Sequence, residues 1–174
     1  REYKMQSVNP KIDVIIPIYK PDEKYDRLLQ ALKKQSIPPH HIYIIHTMTD
    51  GTQETKESDR YAGMEQVSIT NITREQFNHG GTRNMGVSMS DAEFVLMMTQ
   101  DAVPADSHLL EELVRPFEEE EVAATYARQL ATKEVGIIEQ YTRNFNYPDK
   151  EQKKTKKDLE RLGIKTFFCS DVCA

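Results

Sequence analysis

At 174 residues, 38% of them hydrophobic and 29% charged, the chain has the length and composition of one globular domain with a sizeable core. Its 28 acidic against 23 basic side chains leave a net charge of -5, which argues against a general nucleic-acid binder, because phosphate-backbone affinity needs a basic surface. No apolar run approaches a membrane span, and two cysteines with no charged-then-apolar leader favour a reducing, cytoplasmic setting.

The first element is KIDVIIPIY at 11–19, an apolar β-branched run that suits a buried strand with Pro17 and Tyr19 at its tip. Pro21-Asp22 then starts a helix whose Tyr25, Leu28, Leu29 and Leu32 fall on one face, and Pro38-Pro39 stops it. A second strand is expected at 42–45, followed by a polar loop over 46–52 that begins with His46 and contains Asp50. Residues 53–63 read as a short helix or loop, and QVSIT at 66–70 alternates as a third strand would. FNHGGTRNMG, 77–86, reads as a flexible glycine loop opening a helix that carries Met85 and Met89. Next comes the run FVLMMTQDAVP, 94–104, a buried strand that ends abruptly at Thr99-Gln100-Asp101. Beyond it, Asp106 can cap a helix with Leu109, Leu110, Leu113 and Val114 inward, 122–126 suits a short strand, and 136–143 and 149–162 suit helices. The lysines of the last stretch, among them Lys150, Lys153, Lys154, Lys156 and Lys157, read as a solvated face. The chain stops inside a half-apolar segment, FFCSDVCA, which points to the N-terminal part of a longer protein; Cys169 and Cys173 read as buried thiols. Strands alternating with helices give an α/β class with a mostly parallel sheet, on a single domain covering 1–174.

The chemistry concentrates at Asp101. It reads either as a cap on the following turn or as an oxygen ligand for Mg2+ or Mn2+, ions that bridge to phosphates through one or two carboxylates. Gly80, Gly81, Arg83 and Asn84 favour the second reading, since glycines allow close backbone approach to a ligand and Arg83 offers a planar fork suited to phosphate. The pattern is neither a dinucleotide fingerprint nor a P-loop, no histidine stands at zinc-ligand spacing, and no nucleophile elbow is present.

With DVIIPIYK, FNHGGTRNMGV, MTQDAVP and FFCSDVCA in this order, the chain resembles the family 2 glycosyltransferases of the GT-A fold, and among them bacterial rhamnosyltransferases. The resemblance implies that Pro17 and Tyr19 line a nucleotide-base pocket, that Asp50 matches part of the family's base-side loop, and that Gly81, Arg83, Asn84 and Gln100 border the sugar nucleotide. Asp101 matches the last acid of the family's DxD motif and would hold Mg2+ or Mn2+, while Thr99 stands in place of the first acid and His46 in place of a base-contacting acid. Asp171 falls in the acceptor-side segment, and the catalytic base is expected beyond Ala174. The implied activity is inverting transfer of a sugar, such as rhamnose from dTDP-rhamnose, to a saccharide or lipid-linked acceptor of a cell-surface polysaccharide, in the cytoplasm or peripherally at the inner membrane face. Two rivals are a fragment that binds sugar nucleotide without turnover and a nucleotidyltransferase, the latter disfavoured by the lack of a basic glycine-rich first loop.

Overall fold

The structure is a computed structural model and describes residues 10–49, 61, 64–131 and 136–174. They belong to two compact units, one of Arg1–Thr125 with Asp171–Ala174 and one of Tyr126–Ser170.

The first unit is built on a four-stranded parallel sheet of order β3-β2-β1-β4, with β1 at Ile12–Ile18, β2 at His41–Thr47, β3 at Val67–Ile72 and β4 at Phe94–Met97. The central strand is the most apolar one, as burial on both faces requires: Val14, Ile15 and Ile16 are fully buried. Helix α1, Glu23–Lys33, starts where the Asp22 carboxylate accepts from the Lys24 and Tyr25 amides, and it buries Tyr25, Leu28, Leu29 and Leu32, the face read from their spacing. Such burial stabilises by roughly 1.5–3 kcal/mol per large side chain. The Tyr25 hydroxyl is satisfied by that of Tyr61 at 2.9 Å.

Helix α2, His79–Met89, lies on β1 through its small residues: Thr82 and Gly86 are buried, and Met85 and Met89 are exposed. The glycines at 80 and 81 are therefore the first turn of a helix and not a loop. Asn78 makes this possible, because its side-chain oxygen accepts from the amides of Gly80 at 3.1 Å and Gly81 at 2.9 Å. At the opposite end of the sheet, the fully buried Asp13 carboxylate accepts from the Ser90 hydroxyl at 2.6 Å and lies 2.9 Å from His40 Nδ1, tying the start of β1 to the approaches of β2 and β4.

Residues 171–174 run antiparallel to the end of β4 on its outer edge. The Met97 amide donates to the Ala174 carbonyl at 2.7 Å and the Thr99 amide to that of Val172 at 2.9 Å, while the Met98 amide turns inward to the Ile15 carbonyl at 3.0 Å. Cys173 sits in this extended segment, where burial pushes its thiol up to about 12; Cys169 is exposed, so the two do not form a buried pair on a helix.

Three further expectations change. Helix α3, Leu109–Val114, buries Leu110, Leu113 and Val114, and Asp106 accepts from the His108 amide just ahead of it without capping it. Residues 122–126 form no strand. In the second unit, α4 spans Ile137–Asn146, but 149–162 holds only a 3-10 turn, Lys156–Asp158, and the short α5, Leu159–Leu162. Most lysines of that stretch are solvated as expected, whereas Lys154 donates to the Tyr126 hydroxyl at 2.6 Å and the Phe168 carbonyl at 3.2 Å.

Candidate functional site

The chain lays β2 and β3 successively on one side of β1, then returns through α2 to place β4 on the other. The order reverses between β1 and β4, and the crevice beyond the C-terminal ends of such a strand pair is where open α/β sheets bind ligands. Tyr19 follows β1 and the Thr99-Gln100-Asp101 turn follows β4 at that place.

Pro17 fits its position for a backbone reason. Ile15 turns its carbonyl to β4, so Pro17, two residues on, turns its missing N–H to the same side, where the β1–β4 pairing has already ended at Ile15↔Met97. Tyr19 faces the same way, and there the Gln100 side chain takes the part of a strand: Tyr19 N donates to Gln100 Oε1 at 2.7 Å, and Gln100 Nε2 donates to the Tyr19 carbonyl at 3.1 Å. The Tyr19 ring is 41% exposed.

Asp101 is exposed, and its carboxylate forms no hydrogen bond or ion pair among the described residues; its carbonyl accepts from Val103. The capping alternative therefore fails for the side chain. Nearby in the fold, Arg83 donates through Nη1 to the His79 carbonyl at 3.1 Å and through Nη2 to the Asp171 carbonyl at 3.4 Å. Two of its five N–H groups are thus engaged, and the fork is tied to the segment that pairs with Thr99. Arg83, Asp171, Thr99, Gln100 and Tyr19 are linked in one chain of contacts around Asp101.

The other expected residues stand apart from that chain. Gly81 has its amide occupied by Asn78, Asn84 is exposed on α2, and Asp50 lies outside the described residues. His46 and Thr47 belong to β2 itself and are buried, so the loop starts later than the sequence suggests. Sequence reasoning did not single out the hydroxyls of Thr47 and Thr99, buried at the C-terminal ends of β2 and β4 and without a hydrogen-bond partner among the described residues. Thr47 carries no motif signal beyond its strand-end position, and Thr99 only that of standing where the family's first DxD acid does.

Among the described residues no group of three or more His, Cys, Asp or Glu is arranged to hold a metal. A single exposed carboxylate, Asp101, two residues on from a threonine whose hydroxyl is buried without a partner, suits Mg2+ or Mn2+ of the kind that keeps waters and takes its remaining oxygens from a diphosphate. It does not suit a site built wholly from protein ligands.

A shallow cleft elsewhere, lined by Asp26, Arg27 and Gln30 of α1, by Lys34 just after it and by residues of 104–107 such as Asp106, contains none of these groups.

The parallel sheet, its switch point and the acid at the end of β4 define a nucleotide-sugar transferase fold of the GT-A type, and solved structures agree. TarS of S. aureus aligns at a TM-score of 0.57 with 19% identity, over 73% of this chain and 23% of that one. The mannosyltransferase PcManGT from Pyrobaculum calidifontis, solved with GDP-Man and Mn2+, aligns at 0.53 with 16% identity, over 73% and 37%. The model of glycosyl transferase family 2 matches residues 13–174, and the chain belongs to that family. Among curated relatives, the O-antigen chain rhamnosyltransferase RfbN of Salmonella typhimurium strain LT2 is 39% identical over 162 residues, and WbaN of Salmonella anatum 33% over 164. These matches cover 92% and 93% of this chain but 50% of each relative, so the chain spans about half the length of the curated relatives it matches.

Proposed function

We propose that the chain binds the nucleotide-sugar donor of an inverting glycosyltransferase in polysaccharide synthesis. The observation that carries this is the exposed Asp101 carboxylate at the β1–β4 switch point, next in sequence to Gln100, which holds the first-strand tip. The names of the two relatives, both O-antigen chain rhamnosyltransferases, support rhamnose as the sugar and a surface polysaccharide as its destination; dTDP-rhamnose as the donor and a saccharide or lipid-linked acceptor at the inner membrane face belong to the same proposal. No described helix is long and apolar enough to cross a membrane.

In this reading Pro17 and Tyr19 border the base, together with Asp50, three positions after the end of β2 in sequence. Arg83 directs its remaining N–H groups to the diphosphate, with Gly81 and Asn84 on the same helix at its edge. Asp101 holds Mg2+ or Mn2+, which when bound offsets the negative charge developing on the departing diphosphate. The acceptor hydroxyl attacks the anomeric carbon from the face opposite the diphosphate; a new C–O bond forms, the C–O bond to the diphosphate breaks, and the hydroxyl proton passes to a base. Asp171 stands on the acceptor side. We assign the base to none of the described residues.

Calorimetry with dTDP-rhamnose, with and without Mn2+, tests the assignment. Asp101→Asn should abolish the metal-dependent gain in affinity, and Arg83→Ala should weaken binding about 10- to 100-fold, as loss of hydrogen bonds to a charged group does. Metal-dependent affinity that survives Asp101→Asn would remove Asp101 from the site.

A further inference from the structure

We infer that Gln100 is a positioning residue, holding the Tyr19 turn and thereby coupling the base end of the donor site to its diphosphate end. This rests on the donor-binding reading above and assigns Gln100 a role different from contact with the sugar nucleotide. Its amide, like that of the shorter Asn, presents a donor and an acceptor on one edge, as the N–H and C=O of a single strand residue do. Both are spent on one residue: Oε1 accepts from Tyr19 N at 2.7 Å and Nε2 donates to Tyr19 O at 3.1 Å. The amide thus stands where the next strand residue would pair, past the gap left by Pro17.

The turn needs holding. Lys20 has φ 47°, a left-handed conformation that a residue with a Cβ adopts only against steric resistance, and β1 has no β4 backbone beside it beyond Ile15. The Tyr19 ring has solvent on one side and the Lys20 ammonium 5.4 Å from its centre. Its direction is therefore set through its backbone, and Gln100 is the group that sets it. Asp101 is the next residue, in a turn closed by the Ala102 amide donating to the Thr99 carbonyl at 3.1 Å. One short turn consequently fixes both the base-side tyrosine and the metal-side acid.

The experiment uses the full chain as wild type, Gln100→Ala, Gln100→Glu, Tyr19→Ala and the Tyr19→Ala/Gln100→Ala double variant. Amide hydrogen exchange of the ligand-free protein should show Tyr19 exchanging faster in Gln100→Ala, which removes the acceptor of its N–H, and less so in Gln100→Glu, which keeps that acceptor and loses only the donor to the Tyr19 carbonyl, while the β1 core amides stay protected. Affinity is then measured by calorimetry for dTDP, UDP and GDP, each with Mn2+. For whichever binds, Gln100→Ala should weaken affinity about tenfold, as should Tyr19→Ala, and the double variant should be no weaker than either alone. Unchanged Tyr19 exchange overturns the inference, as does an additive loss in the double variant, which would mean direct contact of Gln100 with the ligand. If the wild type binds none of the three, the donor reading fails, and the exchange arm still decides whether Gln100 holds Tyr19.

Discussion

Gly86 sets how closely α2 approaches the sheet. A Cβ built there would lie 2.4 Å from Ile15 Cγ2 and 3.1 Å from its Cδ1, and Ile15 is fully buried in the central strand with nowhere to yield. Two effects oppose each other in Gly86→Ala. Helix propensity favours Ala by about 0.8–1 kcal/mol, whereas overpacking of this kind costs about 1–3 kcal/mol. Overpacking should win, giving a lower urea midpoint with unchanged slope. Gly80→Ala is the matched control, since its Cβ would meet only Asn78 Oδ1 at an ordinary 3.7 Å; it should be neutral or stabilising. Equal loss in both would show that α2 does not rest on Ile15. Because Arg83 rides on the same helix, a shift of α2 would also move the group proposed for the diphosphate.

The short helix α3 depends on its flanks. His108 stands at its N-terminus without a side-chain cap, and its Nδ1 lies 3.1 Å from Glu111 Oε2, which also accepts from the Ser36 hydroxyl at 2.7 Å. The hydrogen bond to Glu111, with the charges of Glu111, Asp106 and Glu112, raises the His108 pKa above its ordinary value; the Ser36 hydroxyl, then His108, lowers that of Glu111. For a raised pKa the linked stability is fully present below the unfolded value and is lost as pH rises through the folded one. NMR titration should therefore find His108 above the ordinary histidine value, and Glu111→Gln should return it there. No movement on that substitution would separate the pair. The Ser36–Glu111 contact runs between α3 and the segment after α1, and no local sequence signal announces it; the same holds for Asp13 with His40 and Ser90. The stripe of α1 was legible because one face repeats every three to four residues. The start of α2 was not, because Gly-Gly signals a turn unless a side chain such as Asn78 supplies the missing carbonyl. Likewise 122–126 and 149–155 have local patterns that no neighbouring strand or packed face converts into regular structure.

For the molecule as a whole, strand-and-helix alternation was enough to read a mostly parallel α/β sheet, and the end of β4 at Thr99-Gln100-Asp101 was legible as the C-terminal edge of that sheet. The pairing of Gln100 with Tyr19, 81 positions apart, was not, since only the sheet order brings the two strand ends together. In the proposed reading that placement makes donor binding a property of the whole first unit: a ligand bridging the ends of β1 and β4 would be lost when the sheet opens, linking binding to unfolding. With one site occupied at 100 times its dissociation constant, linkage adds about 2.7 kcal/mol. For a chain of this size each kcal/mol moves the melting temperature by about 2–4 °C, so saturating donor should raise it by about 5–10 °C. A panel of nucleotide sugars with and without Mn2+ checks this. The expected pattern is a shift that needs both the diphosphate and the metal, is largest for one base, and shrinks in Asp101→Asn. A shift equal for every base would leave the tyrosine at the tip of β1 without a part in recognition, and a shift indifferent to Mn2+ would do the same for the carboxylate of Asp101.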